Sequence, residues 1–127
     1  MTSQVLEALR GAGARAGRQE ACGLLLGKGE QVSEFFEVAN VHPEPEAYFE
    51  IDPKALIEAY KIEREGGARL LGYFHSHPRG PARPSEIDAA MAAGDGKIWA
   101  ILGEDEIGFW RSTPEGFAAL SYSVIDQ

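Results

Sequence analysis

The chain has 127 residues, 44% of them hydrophobic, and its formal net charge is −8. This size and composition are typical of one globular domain with a single core, and they leave no room for a second domain. The acidic balance argues against nucleic acid as a partner, because phosphate backbones are bound by clustered Lys and Arg. We therefore expect one domain, residues 1–127, with basic protein segments as more plausible partners than DNA.

The predicted elements of the first half are a helix from Ser3, strands over 22–26, 31–39 and 48–51, and a helix from Pro53 to about Gly66. Ser3 is expected to cap the first helix, and the glycines at 11–17 to loosen or end it. The strands at 22–26 and 31–39 are expected to pair as a hairpin. Asp52 before Pro53 is typical of a helix start, with Leu56, Ile57 and Tyr60 on one side.

The remaining predicted elements are a strand over 70–74, a helix from Ser85 to Ala93, and strands over 97–102, 107–111 and 117–124. Four aromatic residues in these strands are predicted to be core: Trp99, Phe109, Trp110 and Phe117. From residue 22 onward the order is β-β-β-α-β-α-β-β-β. This order predicts an α/β (α+β) fold with a mixed central β-sheet flanked by helices.

Cellular location follows from what the chain lacks. No apolar run approaches the roughly 20 residues that span a bilayer, and the start Met1-Thr2-Ser3-Gln4 has no signal-peptide pattern. We therefore expect a cytoplasmic protein that does not bind membranes. Cys22 is the only cysteine, which excludes an internal disulfide. We interpret it as a small buried core residue, with a supporting role beside Glu20 as the alternative.

One short stretch carries most of the chemistry. His75 and His77 are separated by one residue and therefore point to the same side of an extended strand, where their ring nitrogens can converge on one ion. Asp88 follows a Pro/Gly-rich turn, after which a new helix can swing its carboxylate back. Three such ligands leave one tetrahedral position on zinc open, which is typical of catalytic sites. His75, His77 and Asp88 are thus predicted to bind catalytic zinc.

His75-x-His77 followed by Ser85-x-x-Asp88, with Glu20 far upstream, resembles the JAMM motif of the MPN-domain (MPN+) zinc metallopeptidases. The segment from Glu20 to Gly27 also looks like the first-strand signature of that family. Five polar residues in this order and spacing are a specific motif, whereas a lone His-x-His is a weak one. The resemblance covers nearly the whole chain and implies an MPN / cytidine-deaminase-like architecture.

The resemblance implies hydrolysis of an amide bond. Zinc on its three ligands would bind water and lower the pKa of that water toward about 7. Glu20 would take the water proton and pass it to the leaving amine, and Ser85 would help to stabilise the oxyanion. Glu20 also directly precedes an apolar strand, where partial desolvation raises the pKa of a carboxyl group toward that of a useful base.

The family commonly acts on the C-terminal tails of ubiquitin-like proteins, cutting after a glycine pair. For so short a chain, the bacterial and archaeal members that process or deconjugate ubiquitin-like sulfur-carrier proteins look closest. The resemblance therefore implies such a protein as the substrate. A homodimer is left open.

Two other classes of function remain as alternatives. A non-catalytic MPN interaction module usually lacks one or more metal ligands, and here all are present. A RadC-like DNA-associated protein shares a similar His-x-His-Pro segment, but the acidic balance opposes it. A zinc deaminase is disfavoured because the Pro-Cys-x-x-Cys half of its signature is missing.

Each site residue also has a purely structural interpretation. His75 and His77 could be exposed histidines at a strand end. Asp88 could be a first-turn carboxylate favoured by the helix dipole, and Ser85 a helix N-cap. Glu20 could be one of many solvated carboxylates. The structural and functional interpretations of Asp88 and Ser85 are compatible.

Overall fold

The computed structural model describes residues 1–124. Its elements in chain order are α1 (Ser3–Ala16), β1 (Cys22–Lys28), β2 (Gln31–Val38), α2 (Pro53–Arg64), β3 (Arg69–Ser76), α3 (Glu86–Met91), β4 (Ile98–Leu102), β5 (Ile107–Thr113) and β6 (Gly116–Leu120). The last three residues of the predicted domain, 125–127, lie outside the described residues.

The six strands form one mixed sheet in the order β2-β1-β3-β4-β5-β6. β3 and β4 run parallel, with Ser76 opposite Leu102, and the other neighbouring pairs are antiparallel. Because β1 runs antiparallel to β3, its first residue Cys22 lies opposite His75. The start of β1 and the carboxyl ends of β3 and β4 therefore meet at one end of the sheet.

The sheet is covered on both faces. Successive residues of a strand point to opposite faces, and the neighbours Leu24 and Leu25 accordingly belong to different apolar clusters. Leu25 packs in the cluster that contains Leu9 of α1, whereas Leu24 packs in the one that contains Ala59 of α2. The predicted mixed sheet flanked by helices is confirmed.

The cap of α1 differs from the prediction. Thr2, and not Ser3, is the N-cap, and its hydroxyl accepts a hydrogen bond from the Val5 backbone N–H at 3.2 Å. The internal glycines do not end the helix, because Leu9 and Ala12 anchor it in the core. It ends where Gly17 takes a positive φ of 62°, a conformation that favours glycine.

The predicted strand at 48–51 is wrong. This segment is an irregular loop, joined to the end of β2 by an isolated bridge between Asn40 and Ile51. The Asn40 side chain hydrogen-bonds to the loop backbone and so competes with a strand ladder. The order over the described residues is therefore α-β-β-α-β-α-β-β-β.

α2 starts as predicted, with the Asp52 side chain accepting from the Lys54 N–H at 3.0 Å and Pro53 at the first helical position. The predicted apolar face is wrong in part, because Ile57 is 68% exposed while Ala59 is buried. The face toward the sheet consists of residues spaced three and four apart: Ala55, Leu56 and Ala59.

The hairpin of β1 and β2 is confirmed, and the last strand is shorter than predicted, ending at Leu120. Trp99 and Phe109 are buried as expected, whereas Trp110 and Phe117 are only partly buried against the core. Across residues 1–124, the helices are all too short or too polar to cross a membrane.

Candidate metal centre

The two histidines lie at the carboxyl end of β3. His75 is the next-to-last residue of the strand and is fully buried, and His77 follows the strand and is half-buried. Their Nε2 atoms are 3.1 Å apart. The side chains thus converge from the same side of extended backbone, as the spacing of one residue predicts.

Asp88 reaches the histidines from the first turn of α3. Ser85 is the N-cap of this helix, its hydroxyl accepting from the Asp88 N–H at 3.1 Å, while the Asp88 carboxylate accepts from the Ser85 N–H at 2.9 Å. The carboxylate also lies 3.1 Å from Nε2 of both His75 and His77. The structural interpretation of Ser85 therefore holds, and the same cap aims Asp88 at the imidazoles.

The Pro-rich loop over 78–84 holds His77 from its other side. His77 Nδ1 donates to the Pro81 carbonyl at 2.9 Å. The loop is fixed in turn by a hydrogen bond from Trp110 Nε1 to the Ala82 carbonyl at 3.1 Å. It also packs tightly on Gly103, where a Cβ would stand 2.5 Å from the Ala82 nitrogen.

Glu20 joins the cluster from outside the strands. It precedes β1, is buried, and one of its carboxylate oxygens lies within 4.8 Å of a ring nitrogen of each of His75 and His77. Its backbone is fixed at both ends: the N–H donates to the Pro45 carbonyl at 2.7 Å, and the carbonyl accepts from Asn40 Nδ2 at 3.0 Å. The structure therefore brings together all the predicted ligands and Glu20.

The pKa values show how burial and charge act on these groups. Burial raises the pKa of Glu20 to about 7, in the direction that the sequence predicts. Burial lowers the pKa of His75. Burial also opposes the charged form of His77, but hydrogen bonds to Asp88 and to the Pro81 carbonyl outweigh it and raise the pKa. Burial alone would raise the pKa of Asp88, but the two imidazole hydrogen bonds hold it well below its usual range.

The donor atoms fit a cation. Because His77 uses its Nδ1–H toward Pro81, a neutral His77 presents the Nε2 lone pair to the Asp88 carboxylate at 3.1 Å. Two lone pairs at that distance repel unless a proton or a metal ion lies between them. Tetrahedral zinc with bonds of 2.0–2.1 Å needs ligand atoms about 3.3 Å apart. The observed 3.1 Å spacing among the three donors is close to that requirement.

Cys22 does not belong to this donor set. It is buried, and its thiol donates to the Val38 carbonyl at 3.6 Å. Burial raises the pKa of the thiol to about 12, so at neutral pH it is neither a thiolate nucleophile nor a ready ligand. The interpretation as a core residue agrees with this placement.

Two residues near the site were not singled out by the sequence. Asn40 binds the Glu20 carbonyl, and Phe49 stacks on the His75 ring with centroids 4.3 Å apart. An asparagine between a strand and a Pro-rich loop signals a turn, but not which residues the turn holds. A phenylalanine in an apolar segment indicates core and nothing more specific.

The fold and the converging donors define an α/β domain with a candidate metal site at the end of its sheet. Residues 2–113 match the family Prok-JAB, described as prokaryotic homologs of the JAB domain. The chain belongs to this family, and the predicted relation to the JAMM/MPN proteins is confirmed.

Curated relatives agree with this assignment. The chain is 40% identical over 88 residues to the "Probable TtuB-protein conjugate cleaving protease" of Thermus thermophilus, covering 69% of this chain and 59% of the relative. It is 31% identical over 88 residues to the "Desampylase" of Haloferax volcanii, covering 68% and 63%. The matched part of the chain thus spans about three fifths of the length of these relatives.

Solved structures share the fold. A protein from Desulfitobacterium hafniense superposes with a TM-score of 0.82 at 29% identity, covering 99% of this chain and 90% of that one. A JAB1/MPN domain protein from Archaeoglobus fulgidus superposes with a TM-score of 0.61 at 20% identity, covering 94% and 89%. The second likeness places the fold among JAB1/MPN domains.

Proposed function

We propose that the chain is a zinc-dependent peptidase or isopeptidase that cuts the amide bond after the C-terminal Gly-Gly tail of a ubiquitin-like or sulfur-carrier protein. One observation carries the proposal: three donor atoms of His75, His77 and Asp88 lie 3.1 Å from one another, and the Glu20 carboxylate lies within 4.8 Å of both imidazoles.

His75, His77 and Asp88 are the proposed ligands of the ion. Two imidazole nitrogens and one carboxylate oxygen suit zinc, and three protein ligands leave the fourth position free for chemistry. Zinc bound there would supply a Lewis acid that polarises the scissile carbonyl and acidifies water.

Glu20 is the proposed proton carrier. Burial raises the pKa of this carboxyl group, which favours its accepting a proton from the attacking water and releasing it to the leaving amine. The water oxygen forms the new carboxylate, the C–N bond breaks, and the proton held by Glu20 goes to the amine nitrogen. The hydrogen bonds at both ends of the Glu20 backbone keep the side chain at this place.

Ser85 is the proposed donor to the substrate oxyanion. Its side chain accepts from the Asp88 N–H, so the hydroxyl proton remains free to donate. The residue is exposed at the start of α3, beside the carboxylate that faces the imidazoles. A donor at this position would stabilise the charge that develops on the carbonyl oxygen.

The substrate class rests on the relatives. One relative is named for cleaving TtuB-protein conjugates, and another is named a desampylase. A protein conjugate is therefore the proposed substrate, and residues 1–127 the proposed single domain. A cytoplasmic protein that does not bind membranes is part of the proposal, and the acidic charge supports the absence of nucleic acid among its partners.

The experiment that tests this proposal uses a sulfur-carrier protein linked through its Gly-Gly tail to a lysine of a second protein. The wild-type chain should release the carrier, stop after a chelator removes its metal, and regain activity with one equivalent of zinc. Cleavage that persists in fully metal-free protein would contradict it. DNA binding at physiological salt, with no cleavage, would favour the RadC-like alternative.

A further inference from the structure

The two proposed histidine ligands are held in different ways. His77 has the arrangement usual for metal ligands, in which the second ring nitrogen donates to a carbonyl, here that of Pro81 at 2.9 Å. His75 lacks it: its Nδ1 is buried and has no hydrogen-bond partner among residues 1–124. Something other than a hydrogen bond at Nδ1 must fix the orientation of the His75 ring from this side.

Aromatic rings enclose His75 instead. Phe49 is stacked on it almost face to face, with centroids 4.3 Å apart and planes 14° apart. Trp99 meets the same imidazole at a right angle, with centroids 5.7 Å apart and planes at 89°. Phe49 and Trp99 also contact each other edge to face, so the three rings form one packed cluster.

The Asn40 side chain makes hydrogen bonds to the backbone on both sides of Phe49. Its Nδ2 donates to the Tyr48 carbonyl at 2.9 Å, and its Oδ1 accepts from the Glu50 N–H at 3.0 Å. The same Nδ2 lies 3.0 Å from the Glu20 carbonyl. One amide therefore fixes Phe49 relative to both the end of β2 and the proposed proton carrier.

Phe49 also separates His75 from solvent. A cleft of about 280 Å³ opens beside it, lined among others by Phe49, Leu56, Met91 and Trp99. His75 is fully buried and does not line this cleft, whereas Phe49, which stacks on it, does. A smaller side chain at position 49 would free the imidazole to rotate and admit water behind it.

We propose that Phe49, held by Asn40, is a positioning residue that keeps the His75 ring in its metal-binding orientation in place of the hydrogen bond that Nδ1 of this ring lacks. This inference rests on the proposed metal site. It assigns to the loop over 40–51 a specific task at the site, beyond connecting β2 to α2.

The test compares zinc affinity in three variants by competition with a chromophoric chelator. Phe49→Leu keeps an apolar side chain but removes the stacked ring, and it should weaken zinc binding by about 10- to 100-fold, the range for residues that orient metal ligands. Phe49→Tyr keeps the aromatic ring and should bind zinc with the wild-type affinity. Phe117→Leu is the matched control, because Phe117 packs on Trp99, with centroids 5.0 Å apart, and not on His75 among the aromatic pairs of residues 1–124.

Cobalt in place of zinc gives a readout that loss of stability alone would not move. The visible spectrum of the cobalt form should change in Phe49→Leu and remain as in the wild type in Phe117→Leu. Equal zinc affinity in wild type and Phe49→Leu, or equal losses in the two leucine variants, would overturn the inference. A wild-type chain that binds no metal would instead overturn the proposed function. If Phe49→Leu does not fold, the decision rests on Phe49→Tyr. A folded Phe49→Tyr variant that binds zinc more weakly than the wild type would overturn the inference.

Discussion

Ser85 and Asp88 hold each other, since each side chain accepts a hydrogen bond from the backbone N–H of the other, at 3.1 Å and 2.9 Å. The same Asp88 carboxylate lies 3.1 Å from both imidazoles. The hydrogen bonds that cap the helix therefore also hold the proposed metal ligand Asp88 in place. Any change at Ser85 acts on the stability of α3 and on the aim of Asp88 together.

The two proposed roles of Ser85 can be separated by two substitutions. Ser85→Ala should lower the free energy of unfolding by about 1 kcal/mol, as for loss of an N-cap, and Ser85→Gly by only a few tenths. Both variants lack the hydroxyl and should lose about 100-fold or more in kcat if it donates to the oxyanion. Denaturation and steady-state kinetics measure the two effects. Wild-type kcat in a zinc-loaded Ser85→Gly variant would leave Ser85 a helix cap only.

Metal binding should depend on His77 and not on the third histidine of the chain. His77→Ala removes one of three converging donors and should abolish most zinc binding, whereas the wild type should hold one zinc per chain. His42→Ala is the control, because His42 stacks on Tyr48 in the loop and is not part of the donor cluster. Elemental analysis of protein purified without chelator measures the content. Equal zinc in the two variants would contradict the assigned ligands.

Glu20 should be needed for hydrolysis but not for binding zinc. Glu20→Gln preserves size and the backbone hydrogen bonds, but the amide cannot carry the proton, so we expect a loss of about 100-fold or more in kcat. Zinc content and thermal unfolding should remain as in the wild type. If the variant lost its metal, Glu20 would be a ligand and its assigned role would be wrong.

The close packing of Gly103 on the Pro-rich loop predicts a remote effect on the site. In Gly103→Ala the new Cβ would approach backbone atoms of residues 80–82, and the loop would have to move. The expected loss in free energy of unfolding is about 1–3 kcal/mol, typical of overpacking, with weaker zinc binding because Pro81 holds His77. Gly80→Ala lies in the same loop, where a Cβ would meet only His77 Cβ at an ordinary 3.5 Å. Equal stability and zinc affinity in these two variants would refute the packing argument.

The short-range part of the site was predictable because local geometry determines it. One residue between His75 and His77 places both on one side of the strand, and two residues between Ser85 and Asp88 is the spacing of a capping pair. The position of Glu20 depends on how β1 pairs with β3, which joins residues such as Ala21 and Ser76 that are 55 apart in sequence. Residue spacing does not determine that pairing. The prediction that Glu20 belongs to the site therefore depended on the resemblance to the family motif.

The loop over 40–51 shows where sequence reasoning failed and why. Its apolar residues from Tyr48 to Ile51 suit a strand, yet the side-chain hydrogen bonds of Asn40 compete with the ladder and leave only one bridge. The apolar character of Phe49 serves to cover His75 and not to extend the sheet. Similarly, Ile57 and Tyr60 are exposed on α2 because its sheet-facing side is set by tertiary packing.

Cleavage-site mapping tests the central claim most directly. The wild-type chain is given a ubiquitin-like sulfur carrier with an extension after its Gly-Gly tail, beside an unrelated unfolded protein, and mass spectrometry locates each cut. Our account predicts one cut after the second glycine of the carrier, absent in Glu20→Gln, with the unfolded protein intact. Rapid degradation of the unfolded protein with the carrier untouched would contradict it and indicate a general peptidase.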